Sequence, residues 1–569
     1  MNISSSKFNH ICFILTCILI IFFSQSTNEI NDLGYALANW PDFYHKNDIF
    51  LMGEKRIKSV IILLAAEMHR NSIDYYLCGY LINLFSNTIT IAAVFFLTYI
   101  ITNNKIISIL CSVFLILIYF PNVHNYGVKY INYYIYLGNF AFWLSILIIS
   151  LHIKKFNKTK NVLLSLLFFT HVYWFFFVIL NLFFELYINK KKIIIKNLFF
   201  FLLPFLILFF YINNNFLIND FNFNTYFSFK SLDTSTLANS NTIALGIDHN
   251  IFFQNKNFFE TFNTLIFLLS FNSLFLINTY KNYYSFSKHH QTLCKMFLFS
   301  LIGIFIFLLY INVDKNLFFI KFFLGDLALY LHEIYPNRFL NINIVYICII
   351  IFLNLFKTFN DKKNYLNFLI LIIILSLFYK LYYNFYLVYR LDILSFLFFF
   401  IGVLLIIFKN SQFNLSEVPI NKKLIIVIFL FSTINLFFIK KNDDYISNNN
   451  NYILKNIEKD SLNLIGPNIY AKNRNHIYKM VNSKLVFPTN NKVIINNKDY
   501  LFMCNDRNFY NNKEAYYAAI KECFESRKKK DWLEIKKIMN VTNVIVESDY
   551  NLNLHLYSKN EHIKVYKIN

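Results

Sequence analysis

Glu29, Asp32, Asp42, Asp48 and Glu54 all fall within NEINDLGYALANWPDFYHKNDIFLMGEKR, residues 28–56, directly behind the first apolar run. The whole chain holds only 32 acidic residues among 569. A carboxylate held at a membrane surface can take a proton from an acceptor hydroxyl, or orient a metal ion that activates a phosphate. On a merely solvated connector, the same charges would only keep the loop in water. Asp32 lies a few residues from the apolar run, where DLGY would begin a short interfacial helix, and Asp48 follows PDFYHKN.

Basic candidates lie farther along. Arg338 follows LHEIYPN at the mouth of a late apolar run, with His332 and Glu333 just before it. A guanidinium there could grip a lipid pyrophosphate as a fork, or snorkel to headgroups as an anchor. Arg390 and Asp392 stand near the start of another apolar run, in FYLVYRLDILSFL. Ionisable groups in such a run face a cavity or find partners. Two positions apart they do not share a helix face, so each needs a partner of its own or lies at the water boundary. Asp248 and His249 sit side by side in GIDHN, where a metal or acceptor role competes with a plain loop.

These side chains must be carried by elements of a membrane protein. Hydrophobic residues make up 57% of the chain and charged ones 15%, and mean hydropathy is +0.43. Soluble domains carry about a quarter charged residues. The net charge of +22 does not indicate nucleic acid, because the lysines cluster in short loops between apolar runs. The basic ESRKKKDW, 525–532, lacks the aromatic interleaving of a nucleic-acid site. Of the eight cysteines, Cys12, Cys17, Cys78, Cys111, Cys294 and Cys348 lie in or beside apolar segments, and none has a zinc-like spacing.

Apolar runs of spanning character fall near 10–26, 84–103, 106–121, 131–152, 161–171, 173–189, 196–213, 262–279, 294–312, 341–357, 364–382, 385–408 and 421–439. The first reads as a retained helix rather than a cleaved signal. The loops 153–161, 189–196, 281–295, 357–364 and 409–423 are basic and should all be cytoplasmic. That requires residues 161–189 to cross twice, turning at Thr170-His171. The expectation is a mainly α polytopic bundle of about 13 spans, N-terminus inside, in a bacterial cytoplasmic (inner) membrane. The acidic or long loops 27–83, 122–130, 214–261 and 313–340 then fall outside, as does the tail from 441.

The tail, 441–569, is no longer apolar. A polar, Asn-rich stretch leads into a helix over 441–461. The run 484–503 is β-like and broken by turn residues, 512–540 has helical periodicity, and VTNVIVES and HIKVYKIN read as strands. The expectation is two domains, a helical one over 1–440 with first outer loop 27–83, and a small extracytoplasmic α/β domain over 441–569. Cys504 and Cys523 are the tail's two cysteines. Outside the cytosol a bridge between them is permitted, the alternative being two independent thiols.

In layout the chain resembles the GT-C superfamily, polytopic glycosyltransferases that use polyprenyl-phosphate-linked sugars. DLGYALANW and PDFYHKND match the first-loop acids, FFTHVYWFFFVIL matches a turn between two short helices, and IYPNRFLNINIVYICII matches an arginine opening a late span. WLEIKKIMNVTNVIVES is similar to the helix-then-strand unit of such tails. There is no WWDxG-like signature, which separates the chain from oligosaccharyltransferases. The resemblance implies Asp32 and Asp48 as catalytic carboxylates and Arg338, Arg390 and His332 as substrate-binding residues. The implied partners are the lipid bilayer and a polyprenyl-phosphate-linked sugar donor, with no nucleic acid. The cofactor stays open, a divalent metal being the candidate. The other class of reading is a non-catalytic membrane protein, such as a polysaccharide flippase, transporter or assembly factor. It would need polar residues or broken helices at mid-span, and the runs here are almost wholly Phe, Ile and Leu at their centres.

Overall fold

Helix formation follows the apolar runs, and the turns between them are set by asparagine and lysine because the chain has only 10 glycines. The computed structural model describes residues 5–24, 29–30, 60–71, 73, 75–115, 134–135, 137–189, 195–215, 272–312, 341–361, 406, 462–465, 484–486, 493–495, 498–500, 521–522, 524–539, 541–559 and 563–569. These are mainly helical with a small sheet. The chain divides into two compact units. One comprises Met1–Ser26, Tyr80–Tyr211 and Asp220–Lys440, and the other Thr27–Gly79, Ile212–Asn219 and Lys441–Asn569.

The helices are α1 (Ser5–Ser24), α2 (Val60–Arg70), α3 (Tyr75–Thr102), α4 (Lys105–Leu115), α5 (Leu137–Ile153), α6 (Asn157–Thr170), α7 (Val172–Ile188), α8 (Ile195–Asn215), α9 (Lys288–Asn312) and α10 (Asn341–Asp361). Residues 272–282 are also helical. The turn from α3 to α4 is Asn103-Asn104. Asn103 adopts φ 53°, a left-handed conformation that asparagine tolerates better than most residues. The Asn104 side chain accepts the N–H groups of Ile106 and Ile107 at 3.0 and 3.2 Å, capping α4. The α5–α6 turn is built differently. Phe156 N–H reaches Leu151 O at 2.9 Å and Lys155 N–H reaches His152 O at 3.0 Å, the paired bonds of a Schellman end. Its left-handed position, φ 65°, is filled by Lys155 rather than glycine.

The turn expected at Thr170-His171 is present. α6 ends at Thr170, His171 is extended, and α7 starts at Val172. The chain reverses there. His152, near the end of α5, is hydrogen-bonded to Glu185, near the end of α7, while α6 starts within a few residues of α5's end. The start of α6 and the end of α7 therefore share one end of the unit. Ring contacts Phe85–Phe140 and Phe96–Phe156, both 5.8 Å, make α3 and α5 parallel. Ser165 donates to Phe201 O at 2.8 Å and Phe169 meets Phe205 at 5.0 Å, so α6 and α8 are parallel too. The Phe201 carbonyl lies one turn before Pro204, which interrupts the α8 ladder.

α5 is buried on every side from Asn139 to Ile153, as expected of a central helix that is apolar all round. Outer helices keep large apolar side chains exposed, including Phe176, Leu180, Phe183 and Tyr187 on α7 and Phe199, Leu203, Ile207 and Phe210 on α8.

The count of thirteen spans is not reproduced among the described residues. One helix, Leu77–Thr102, is long and apolar enough to cross a bilayer, while Cys12–Ile21, Lys105–Leu115, Asn139–Ile153, Trp174–Ile188, Phe199–Phe210 and Asn341–Lys357 are shorter apolar helices. At 1.5 Å per residue a helix of this shorter class falls short of a roughly 30 Å hydrocarbon layer. The start of α9 is joined to α10 by the His290–Tyr346 hydrogen bond, as buried polar groups in an apolar bundle must find one another.

In the second unit, β1 (Leu462–Ile465), β2 (Lys484–Val486), β3 (Val493–Ile495), β4 (Lys498–Tyr500), α11 (Lys529–Met539), β5 (Val541–Glu547), β6 (His555–Lys559) and β7 (Ile563–Lys567) are described. The five-stranded sheet has order β2-β1-β5-β7-β6. β1 pairs in parallel with β2 and β5, whereas β7 is antiparallel to β5 and β6. VTNVIVES and HIKVYKIN supply β5 and β7, as their β-branched residues suggest. The helical pattern over 512–540 is interrupted at Arg527-Lys528. There the Asp531 carboxylate accepts the Lys528 N–H at 2.8 Å and caps α11. β1 and the edge strand β6 were not legible, because LNLI and HLYSK are too short to show a period.

Candidate functional site: a buried carboxylate at the lysine-rich end

Asp32, Asp48, Arg338, Arg390 and His332 lie outside the described residues, as do Glu333, Asp392, Asp248, His249, Cys504 and Cys523. The ionisable constellation that is described centres on Glu185, near the end of α7. One carboxylate oxygen, Oε2, is 2.9 Å from His152 Nε2. The other, Oε1, accepts Asn189 Nδ2 at 2.7 Å. Lys160 on α6 is close enough to interact electrostatically. The side chains of His152 and Glu185 are only 8% and 2% exposed.

Two polar groups thus occupy the two carboxylate oxygens, and three helices and a helix cap contribute the set. A general base must reach the hydroxyl it deprotonates. With so little exposure Glu185 has no such reach, and its geometry is that of an interhelical lock between α5 and α7. Such a pair contributes chiefly by being complete, because removing one partner strands a buried charge. Sequence reasoning missed it, although a signal was available. Glu185 is the only acidic residue between Asp74 and Asp220, and an isolated acid in apolar surroundings calls for a nearby partner.

The chain matches no known protein family. No curated protein matches it either.

A second buried polar cluster joins residues 272–282, α9 and α10. The Tyr346 hydroxyl is 2.8 Å from His290 Nε2, 3.6 Å from Cys294 Sγ and 3.2 Å from Asn278 Nδ2, which donates to it. His290 stacks on Phe286 at 3.8 Å. Nearby, Asn343 donates to Asn272 at 2.7 Å. All are buried, so the cluster positions three helices. The basic run 281–295, which reads as a solvated loop, therefore turns part of itself inward. Among the described residues no group of His, Cys, Asp and Glu could hold a metal ion. The six cysteines of the apolar segments are thiols outside any disulfide, buried except for the half-buried Cys17.

In the second unit Arg527 lies over Phe524 and Trp532, its guanidinium carbon 4.9 and 5.0 Å from the ring centroids. Burial works against its charge, and Asp531 offsets part of that. Trp532 and Phe524 are fully buried, so this stack belongs to the core beside the sheet. It is not a surface for phosphates.

Proposed function

We propose that the chain is an integral membrane glycosyltransferase of GT-C type. It moves a sugar from a polyprenyl-phosphate-linked donor to a glycan, lipid or protein at the outer face of a cytoplasmic membrane. The observation that carries the membrane part is the exposed apolar stripes of α7 and α8. Continuous apolar surface of this kind must be covered, and acyl chains would cover it. The reversal at His171 supports the same reading, because it puts the basic turn 153–157 and the end of α7, which leads into the basic loop 189–196, at one end. That is the arrangement the positive-inside rule demands. The thirteen-span topology, with a C-terminal domain outside, belongs to this proposal.

The chemical part rests on the first-loop acids and on the resemblance in layout. Asp32, and after it Asp48, is the catalytic carboxylate, with Arg338, Arg390 and His332 on the donor phosphates. Asp→Asn at the catalytic position should lower sugar transfer by about 10²–10⁴ while leaving the amount of protein in the membrane unchanged. If both single variants keep full transfer in a cell-surface glycan assay, the loop is a connector and the enzyme reading is wrong. The second reading, a flippase or transporter, draws on the buried His152–Glu185 and His290–Tyr346 pairs, since polar groups inside a bundle can mark a pathway. It would be favoured if sugar transfer survived Asp→Asn at both positions.

A further inference from the structure

The turn between α5 and α6 reads IKKFNKTK, residues 153–160. Its four lysines are not alike. Lys154 Nζ sits 3.9 Å from the centre of the Tyr99 ring, and Lys158 Nζ 5.1 Å from that of Phe200. Lys160 lies toward Glu185. Lys155 and Lys158 are exposed. Between them Phe156 is 50% exposed, with its ring 5.8 Å from Phe96. The arrangement is an apolar wedge flanked by cations at the end of an apolar helix bundle. Aromatic anchoring of Lys154 and Lys158 holds two of the amines against the α3 and α8 ends rather than letting them wander.

Lys155 adds a further observation. It occupies a left-handed position, φ 65°, where a glycine would sit without strain. Glycine there would relieve strain of about 1–2 kcal/mol, yet the position carries a cation. Among the described residues the acid that acts on this stretch is Glu185, through Lys160, and one carboxylate against four lysines leaves it net positive.

We propose that the 154–160 turn is a docking site for the anionic headgroup of a bilayer phospholipid, with Lys155 and Lys158 on the phosphate and Phe156 among the upper acyl carbons. This rests on the membrane reading given above. Each lysine near such a surface contributes about fivefold in affinity, so the two together contribute about thirtyfold.

The test uses the purified full-length chain in a mild detergent, with its melting temperature followed by tryptophan fluorescence. Phosphatidylglycerol should raise the melting temperature of the wild type, whereas phosphatidylcholine and inorganic phosphate should not. Lys155→Gly with Lys158→Gln should need about thirtyfold more phosphatidylglycerol for the same shift. Without lipid this variant should melt no lower than the wild type, because glycine suits position 155, so a weaker response cannot be put down to misfolding. Lys529→Gln with Lys530→Gln removes the same charge from exposed positions on α11 and should respond like the wild type. An unresponsive wild type overturns the proposal, as does an equal response from the 155/158 variant, or an equal effect of phosphate or phosphatidylcholine. A carbonate wash separates the two readings. Release of the chain from membranes refutes the membrane reading and the lipid site together. Retention alongside equal lipid responses refutes the lipid site alone.

Discussion

Replacing His152 by Leu should destabilise the helical unit more than its change in size would suggest. The substitution leaves the Glu185 carboxylate, 2% exposed, without the imidazole 2.9 Å away. Stranding one partner of a buried pair costs about 3–5 kcal/mol. Asn189 and Lys160 remain near the carboxylate, which argues for the lower end, about 3 kcal/mol. Glu185→Met keeps the volume but removes the acceptor. The loss is then that of one buried hydrogen bond, about 1–3 kcal/mol. The double variant has no buried charge left to strand. Well-packed apolar replacements of ion pairs are often neutral, so it should cost less than His152→Leu alone, with a coupling of about 1 kcal/mol or more between the sites. The readout is the midpoint of heat inactivation of the purified chain, supported by protease sensitivity at the 153–157 turn. Ranking suffices, because a chain of two units is not expected to unfold in one step. Additive effects of the two substitutions, or single variants as stable as the wild type, would refute the lock between α5 and α7.

Other outcomes are expected. Reporters fused after residues 157, 285 and 415 should read cytoplasmic and those after 240 and 500 external, and a cytoplasmic signal at 500 would remove the basis for the glycosyltransferase proposal. Trp532→Ala should cost the second unit about 3–5 kcal/mol, seen as loss of protease resistance in the tail, because Trp532 is fully buried beside Phe524. If the tail lies outside the cytosol, thiol labelling should find Cys504 and Cys523 bridged, with the bridge adding about 3 kcal/mol. Two free thiols would refute the bridge and weaken the external placement.

Much of this architecture follows from local sequence. The break at Thr170-His171 was legible because two lysine clusters flank a run too long for one crossing and the positive-inside rule admits only an even number. VTNVIVE and IKVYK were legible because β-branched residues favour the extended chain wherever they fall. TNNK and IKKFN end and restart helices through bonds spanning six residues or fewer, which short-range patterns encode. Partnership across the fold was not legible. Nothing near Glu185 names His152, 33 residues away, and nothing near His290 names Tyr346, 56 residues away. Nor could hydropathy show that the start of α9 is joined to α10, or that β1 and β5, 80 residues apart, pair through Asn463 and Asn543. Periodicity reports which face of an element is apolar. Which buried polar group satisfies which other depends on packing all the helices at once, because each must be paired somewhere and only the tertiary structure decides where.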